Sequence, residues 1–161
     1  MPAVRRHYEK TVIVFLLKRA KNDIKRELRR YPEMETGGVL LGCRLGAVLL
    51  VLAATSSGEK SLHERCRFEM DMEHAISEAN AIIEEYRALN CRVVGIWHNH
   101  NNDCRIFSYD DIQTNSAYAR LNSFGAVSVL VTKENGEDIL NCFHIKPDSH
   151  KSELKLSIKI R

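Results

Sequence analysis

The sequence lacks any apolar run of the roughly 18 residues needed to cross a bilayer. Its first apolar stretch ends at Leu17 and is followed by Lys18 and Arg19, not by the small residues of a signal-peptide cleavage site. The five cysteines are odd in number and include no C-x-x-C pair, which argues against a disulfide framework and a four-cysteine zinc site. These absences predict a reduced, cytoplasmic protein with no membrane partner.

The sequence also has little excess charge of either sign. Its 24 Lys and Arg against 21 Asp and Glu give a formal net charge of +3, which is too small to indicate a nucleic-acid partner. Basic residues do concentrate between Arg5 and Arg30, but such a run is usually the solvated face of a helix. Nucleic acid is therefore disfavoured as a partner.

Breaks within the chain are few. Only three prolines occur, and no internal repeat or low-complexity segment is visible in the 161 residues. A chain of this length can close one hydrophobic core but is short for two domains. We expect a single domain over 1–161, with its core at about 11–146 and a C-terminal extension over 147–161.

Hydrophobic periodicity predicts the elements of the first half. A short strand within 11–17 precedes the charged sequence KRAKNDIKRELRRY, which is typical of a surface helix. Two apolar runs on either side of Gly46 predict a buried hairpin, and a further strand is expected near 65–70. Apolar residues at steps of three and four predict an amphipathic helix over 72–89.

The second half continues the alternation. The apolar run CRVVGIWH predicts a central strand, a helix is expected to begin at Ser108, and the runs on either side of KENG predict a last hairpin. Strands interleaved with helices and several adjacent hairpins are typical of a mixed α/β fold. We therefore expect a largely antiparallel sheet flanked by helices.

A group of polar residues follows the predicted central strand. His98 and His100 have one residue between them, so on a strand their side chains point to the same face. Seven residues later comes Ser108, and Asp111 follows on the first turn of the next helix, from which its carboxylate can turn back toward the strand end. Two histidines and one carboxylate are the ligands of a catalytic zinc whose fourth position is open to water.

Each half of this pattern also has an ordinary structural explanation. A histidine at a strand end is usually a partly buried polar residue, and Ser108 with Asp111 could be a helix cap with an acid favoured by the helix dipole. The two halves together are harder to explain structurally, because a pair of exposed histidines adds little to a strand or a helix. The combination favours the metal site.

The sequence His98-Asn99-His100, with its fixed spacing to Ser108 and Asp111, resembles the JAMM motif of MPN-domain metalloproteases. The segment PEMETGGVLLG is similar to the part of that family in which a glutamate before a glycine-rich strand serves as general base. This resemblance extends over about 11–146 and implies the MPN/JAMM fold, which is of the cytidine-deaminase-like type.

The resemblance implies a role for each residue. His98, His100 and Asp111 would hold one catalytic Zn²⁺ per chain, which lowers the pKa of a bound water from 15.7 to about 7. Glu35 would take the proton of that water and later pass it to the leaving amine. Ser108 would donate a hydrogen bond to the oxyanion of the intermediate.

Two assignments keep an alternative. Glu33 competes with Glu35 as the base, and Glu35 is favoured because it directly precedes Thr36 and the two glycines. Gly37 and Gly38 form either an ordinary turn or a place where the backbone must approach the metal site closely.

The chain departs from the family pattern beside the histidines. Many members carry Ser or Thr between the two histidines and Pro after the second, where this chain has Asn99 and Asn101. No ligand is lost, but the course of the loop 101–107 is less certain without the proline. Cys104 in that loop is either a thiolate that reaches the zinc or, as we favour, a free surface thiol.

The resemblance implies a zinc-dependent isopeptidase or peptidase. Its substrate would be a ubiquitin-like protein or its conjugate, cut after the C-terminal tail in deconjugation or precursor processing. The compact chain resembles stand-alone prokaryotic members, which accompany activating and conjugating enzymes in anti-phage defence.

Two alternatives stay open. One is a RadC-like protein with a DNA-related role, since that branch also has His-Asn-His in its motif. The other is a non-catalytic MPN scaffold, although such modules typically lack a ligand and this chain lacks none.

Overall fold

A computed structural model of the chain describes residues 12–148 and 151–160. Arg5 and Arg6 of the basic run, and Thr11 at the start of the first expected strand, lie outside these residues. The elements are, in chain order, β1 (Ile13–Leu16), α1 (Lys18–Arg30), β2 (Gly37–Leu45), β3 (Val48–Ala54), β4 (Leu62–Glu64), β5 (Arg67–Glu69), α2 (Met72–Glu85), β6 (Arg92–Asn99), α3 (Tyr109–Ala119), β7 (Ala126–Glu134), β8 (Glu137–Ile145) and β9 (Ser152–Ile160).

Seven of the strands form one sheet in the order β1-β3-β2-β6-β7-β8-β9. The pairs β1/β3 and β6/β7 are parallel, and the remaining pairs are antiparallel. The predicted fold class, a mixed α/β fold with a largely antiparallel sheet, is confirmed. The strand that ends in the two histidines, β6, is the central strand of the sheet, as the sequence predicted.

The helices cover both faces of the sheet. Side chains alternate along a strand, so Leu40 of β2 packs in the cluster that contains Ile24 of α1, whereas Val39 and Leu41 pack in the cluster that contains Ala79 of α2. A third cluster joins α3 to β7 and β8 on the same face as α2. Because α2 and α3 share this face, they border the end of β6 where the candidate site lies.

The hairpins follow the turn signals of the sequence. Gly46 has φ 62° between β2 and β3, and Asn135 and Gly136 have φ 53° and 79° between β7 and β8. Two successive residues with positive φ are typical of a type I′ turn, which matches the twist of the adjoining strands. Both expected hairpins are therefore present.

Three features go beyond the sequence expectation or differ from it: the pairing of β5, the strand in the C-terminal segment, and the end of α2. The strand expected near 65–70 is β5, but it pairs with β4 in a separate two-stranded sheet. The segment 147–161, which we expected only as an extension, contains β9, and β9 pairs with β8 at the edge of the main sheet. The predicted helix over 72–89 ends as α2 at Glu85 and continues in a short 3-10 turn, Arg87–Leu89.

Among the described residues, no helix is long and apolar enough to cross a membrane. All five cysteines are unpaired; Cys43, Cys91 and Cys142 are buried, and Cys66 and Cys104 are exposed.

Candidate metal centre

The end of β6 and the start of α3 bring the three predicted metal ligands together. His98 pairs with Gly37 of β2 and with Leu130 of β7, so its position is fixed from both sides. His100 follows one residue after the strand, and its backbone N–H donates to the carbonyl of Val131. These contacts place the two imidazoles on one side of the strand end, as the alternation of strand side chains predicted.

The spacing of the ligand atoms fits one metal ion. Nε2 of His98 lies 3.3 Å from Nε2 of His100 and 3.3 Å from Oδ1 of Asp111, and Nε2 of His100 lies 3.5 Å from Oδ2 of Asp111. Tetrahedral zinc with ligands at 2.0–2.1 Å needs ligand atoms about 3.3 Å apart. The donor set and its spacing therefore suit a metal ion, and all three residues are partly buried.

A hydrogen bond to the backbone orients His100. Its Nδ1 lies 3.1 Å from the carbonyl oxygen of Cys104, which can only accept, so Nδ1 carries the proton. In the neutral ring Nε2 is then unprotonated and presents its lone pair to the site, which is the arrangement usual for metal-bound histidine.

The thiol of Cys104 is not part of the site. Its side chain is exposed, and its Sγ contacts the carbonyl oxygen of Ile106 at 3.9 Å. The group of potential ligands found in the described residues consists of the two histidines and Asp111. The favoured interpretation, a free surface thiol, agrees with this placement.

The start of α3 is a capping box. The backbone N–H of Ser108 donates to Oδ2 of Asp111 at 2.8 Å, and the backbone N–H of Asp111 donates to Oγ of Ser108 at 3.1 Å. The structure therefore confirms that Ser108 and Asp111 cap the helix, and this cap is compatible with a second role at the candidate site. Because the Ser108 hydroxyl accepts in this bond, its own proton is left for another acceptor.

The hydrogen bonds of Asp111 also set its charge. Burial opposes ionisation of the Asp111 carboxyl, but hydrogen bonds from His100 and His98, in their protonated forms, outweigh it and hold its pKa well below the usual range. The pKa of His100 is raised, chiefly by its hydrogen bond with Asp111. The carboxylate is thus ionised at neutral pH, as a metal ligand must be.

Glu35 lies beside this group. It lines the same groove as His98 and Asp111, and burial raises the pKa of its carboxyl although the nearby charges of His100 and His98 lower it. A carboxylate whose pKa is raised toward neutrality is better suited to accept a proton at that pH. Glu33, the competing candidate, is exposed and does not line this groove.

The two glycines after Glu35 mark a close approach of two strands. A Cβ on Gly37 would lie 2.5 Å from the carbonyl oxygen of Trp97 and 2.8 Å from a ring carbon of Phe68. Both glycines lie within β2 and not in a turn, and a Cβ on Gly37 would lie 3.1 Å from Cβ of His98, so the structure supports the second interpretation, a backbone that comes close to the candidate site.

A groove borders the candidate metal ligands His98 and Asp111. Its volume is about 340 Å³, and it runs between the β4–β5 region and α3. Beside Glu35, His98 and Asp111, its walls are largely apolar and comprise Phe68, Met70, Met72, Ile96, Trp97, Thr114 and Tyr118. Such a groove can hold an extended chain next to the site.

Sequence reasoning missed a set of residues that surround Glu35. The backbone N–H of Glu35 donates to the carbonyl of Glu64 at 2.7 Å, and Nδ1 of His63 donates to the carbonyl of Glu35 at 3.0 Å. Asn99, which we had noted only as a departure from the family pattern, contacts the backbone on both sides of Glu35. Its position between two candidate ligands was the only signal available.

The described part of the basic run forms α1. Its arginines are partly neutralised by ion pairs, which join Arg19 to Glu85, Arg26 to Asp23 and Arg30 to Glu27. This local neutralisation weakens the argument for a nucleic-acid site on the helix.

Comparisons with known proteins identify a matching family model and a solved structure of similar fold. A family model described as prokaryotic homologs of the JAB domain matches residues 17–150. The solution structure of protein DSY2949 from Desulfitobacterium hafniense has a similar fold, with a TM-score of 0.60 and 19% sequence identity over 88% of this chain and 90% of that chain. The comparison with curated proteins finds no match.

Proposed function

The chain belongs to the family of prokaryotic homologs of the JAB domain, and from this membership and the geometry of the site we propose that it is a zinc-dependent hydrolase of amide bonds. The observation that carries the proposal is the convergence of His98, His100 and Asp111: the two Nε2 atoms lie 3.3 Å apart, and each lies 3.3 to 3.5 Å from one of the two carboxylate oxygens of Asp111. Tetrahedral zinc needs ligand atoms about 3.3 Å apart, and one ligand atom from each of the three residues lies within 4.8 Å of the other two, which supports a shared metal ion.

The chain's own residues supply the remaining steps of hydrolysis. His98, His100 and Asp111 would hold the zinc, which when bound would lower the pKa of a bound water to about 7 and polarise the carbonyl of the substrate. Glu35 takes the proton of the attacking water and delivers it to the amine that leaves. The hydroxyl of Ser108 donates a hydrogen bond to the carbonyl oxygen of the substrate as negative charge develops there.

The groove supports an extended substrate. The site lies at the end of the central strand β6, so neither edge strand of the main sheet, β1 or β9, is available beside it. The small sheet has the order β4-β5; the backbone of Glu35 bonds to β4 at Glu64, and β5 borders the groove through Phe68. A peptide tail can bind there as an additional strand while its side chains contact the apolar wall.

The family resemblance supplies the identity of this tail in our proposal. We propose that the substrate is the C-terminal tail of a ubiquitin-like protein, which the chain cuts in deconjugation or precursor processing. In this proposal the chain acts alongside activating and conjugating enzymes in antiviral defence. A folded modifier with a protruding tail is the kind of substrate whose scissile bond can reach a site of this shape. Specificity would come from the modifier body as well as the tail, because three zinc ligands discriminate little between amides.

A reporter fused to the last residue of a ubiquitin-like modifier tests the proposal. We expect cleavage at the junction, loss of cleavage on chelation, and recovery when zinc is restored. A peptide that contains only the tail should be cut far more slowly, and Glu35→Gln, with only a residual rate, serves as the matched control. Equal cleavage of the peptide and the fusion would contradict the proposal that the folded modifier contributes to substrate recognition.

Two other results would point to the alternatives. Binding of the modifier without cleavage of any fusion, with zinc present, would identify a non-catalytic scaffold. DNA that is bound or processed while no modifier is cut would favour the RadC-like role, and such binding should weaken steeply with salt.

A further inference from the structure

The side chain of Asn99 contacts the backbone on both sides of Glu35. Its Oδ1 accepts from the backbone N–H of Thr36 at 2.6 Å, and its Nδ2 donates to the carbonyl oxygen of Met34 at 3.0 Å. Asn99 is 4% exposed, so these bonds form away from water. The residue that separates the two candidate histidine ligands therefore holds the peptide units before and after the candidate base.

Asn101 extends this contact to the rest of the loop. Its Oδ1 accepts from Nδ2 of Asn99 at 3.3 Å, and its own Nδ2 donates to the carbonyls of Glu33 at 3.1 Å and Arg65 at 2.9 Å. The two amides thus connect the end of β6 and the residue after His100 to the loop before β2 and to the turn between β4 and β5. A proline at position 101 would have no side-chain donor for these carbonyls.

We propose that Asn99 is a positioning residue that fixes the carboxylate of Glu35 relative to His98 and His100. The inference rests on the proposed hydrolase function for its catalytic consequence. The amide of Asn99 has a donor and an acceptor on separate atoms. It can therefore bond to the Met34 carbonyl and the Thr36 N–H at the same time, on either side of Glu35. Because Asn99 lies between the two histidines, one backbone segment sets the position of both the ligands and the base.

The effect on turnover should be confined to the chemical step. In Asn99→Ala, we expect kcat to fall about 100-fold, which is the cost of a misplacement of about 1 Å in an active site, while KM and the zinc content stay the same. Asn99→Asp keeps the acceptor for Thr36 but cannot donate to the Met34 carbonyl, so it should not restore kcat. Asn141→Ala removes another buried, hydrogen-bonded asparagine, on β8, and should lower the melting temperature without this loss of kcat.

A double-mutant cycle with Glu35→Gln separates positioning of the base from any other role. If Asn99 acts through Glu35, Asn99→Ala should change the residual rate of the Glu35→Gln variant by less than about twofold, because groups that act as a unit are not additive. The same 100-fold loss in both backgrounds would overturn the proposal.

Hydrogen exchange tests the geometry without any turnover. In the unmodified chain the Thr36 amide is buried and bonded to Asn99, so its exchange should be slow. In Asn99→Ala we expect this amide to exchange at least about 10-fold faster while the amides of β6 before position 97 keep their rates. Unchanged protection of Thr36 would overturn the positioning contact even if the chain cuts no substrate. If Thr36 exchanges faster in Asn99→Ala but the unmodified chain cuts no substrate, the contact between Asn99 and Thr36 is supported and the proposed hydrolase function is wrong.

Discussion

Ser108 and Asp111 cap each other across the first turn of α3, and the same Asp111 carboxylate faces both histidines. Oδ2 of Asp111 accepts from the Ser108 backbone at 2.8 Å, while Oδ1 lies 3.3 Å from Nε2 of His98. The cap thus fixes the carboxylate in the direction of the strand end. A feature that looks like ordinary helix chemistry is also the device that completes the candidate metal site.

Ser108→Ala separates the two roles of this serine. Loss of the cap should lower stability by about 1 kcal/mol, which a melting temperature detects. Loss of the oxyanion donor should slow hydrolysis by roughly 100- to 1,000-fold. Ser108→Thr keeps the hydroxyl and should retain the cap and most of the rate. A melting-temperature change in Ser108→Ala with nearly full turnover would leave the serine with its structural role alone.

Glu35→Gln should keep the fold and the metal but lose most of the turnover. The amide can hydrogen-bond a water but cannot accept its proton. Glu33→Gln is the matched control, because Glu33 is exposed and outside the groove, and its effect should be small. Turnover of both variants, measured at equal zinc content, shows which glutamate is the general base. A large loss in Glu33→Gln with a small loss in Glu35→Gln would assign the base to Glu33.

His144 should make stability depend on pH. Its imidazole is buried, Nε2 donates to the carbonyl of Phe124 at 2.7 Å, and burial lowers its pKa below the ordinary value. Because the unfolded chain binds a proton at His144 more readily than the folded chain, the contribution of this residue is present above about pH 6.5 and is lost as the pH falls below it.

The check on His144 compares two melting curves. His144→Gln keeps an amide donor but does not titrate, so its melting temperature should fall less than that of the unmodified chain between about pH 7 and pH 5. The comparison of the two proteins cancels the titration of the other histidines. Parallel decreases in both proteins would show that His144 does not contribute.

The sequence could predict that the three candidate metal ligands lie together, because their geometry is local. The alternation of a strand fixes His98 relative to His100, and the start of a helix fixes Asp111, so neither step depends on distant contacts. The hairpin turns and the central strand were predictable for the same reason. β9 was missed although Leu154, Leu156, Ile158 and Ile160 alternate with polar residues, which is a strand pattern.

The surroundings of Glu35 could not be predicted in this way. The bond between Thr36 and Asn99 spans 63 positions, and that between Glu33 and Asn101 spans 68. Such contacts depend on the pairing of β2 with β6, for which one sequence gives no partner or register. The strand near 65–70 was predicted, but not its pairing with β4, since two strands of three residues each carry too little pattern to show what they pair with.

The zinc content of the purified chain tests the central claim most directly. Elemental analysis of protein prepared without added metal, and again after incubation with zinc and removal of the excess, should give about one zinc per chain. His98→Ala and His100→Ala should lose most of it, while Asn141→Ala, which alters a buried side chain outside the site, should keep it. Full zinc in both histidine variants, or none in the unmodified chain after incubation with zinc, would contradict the account.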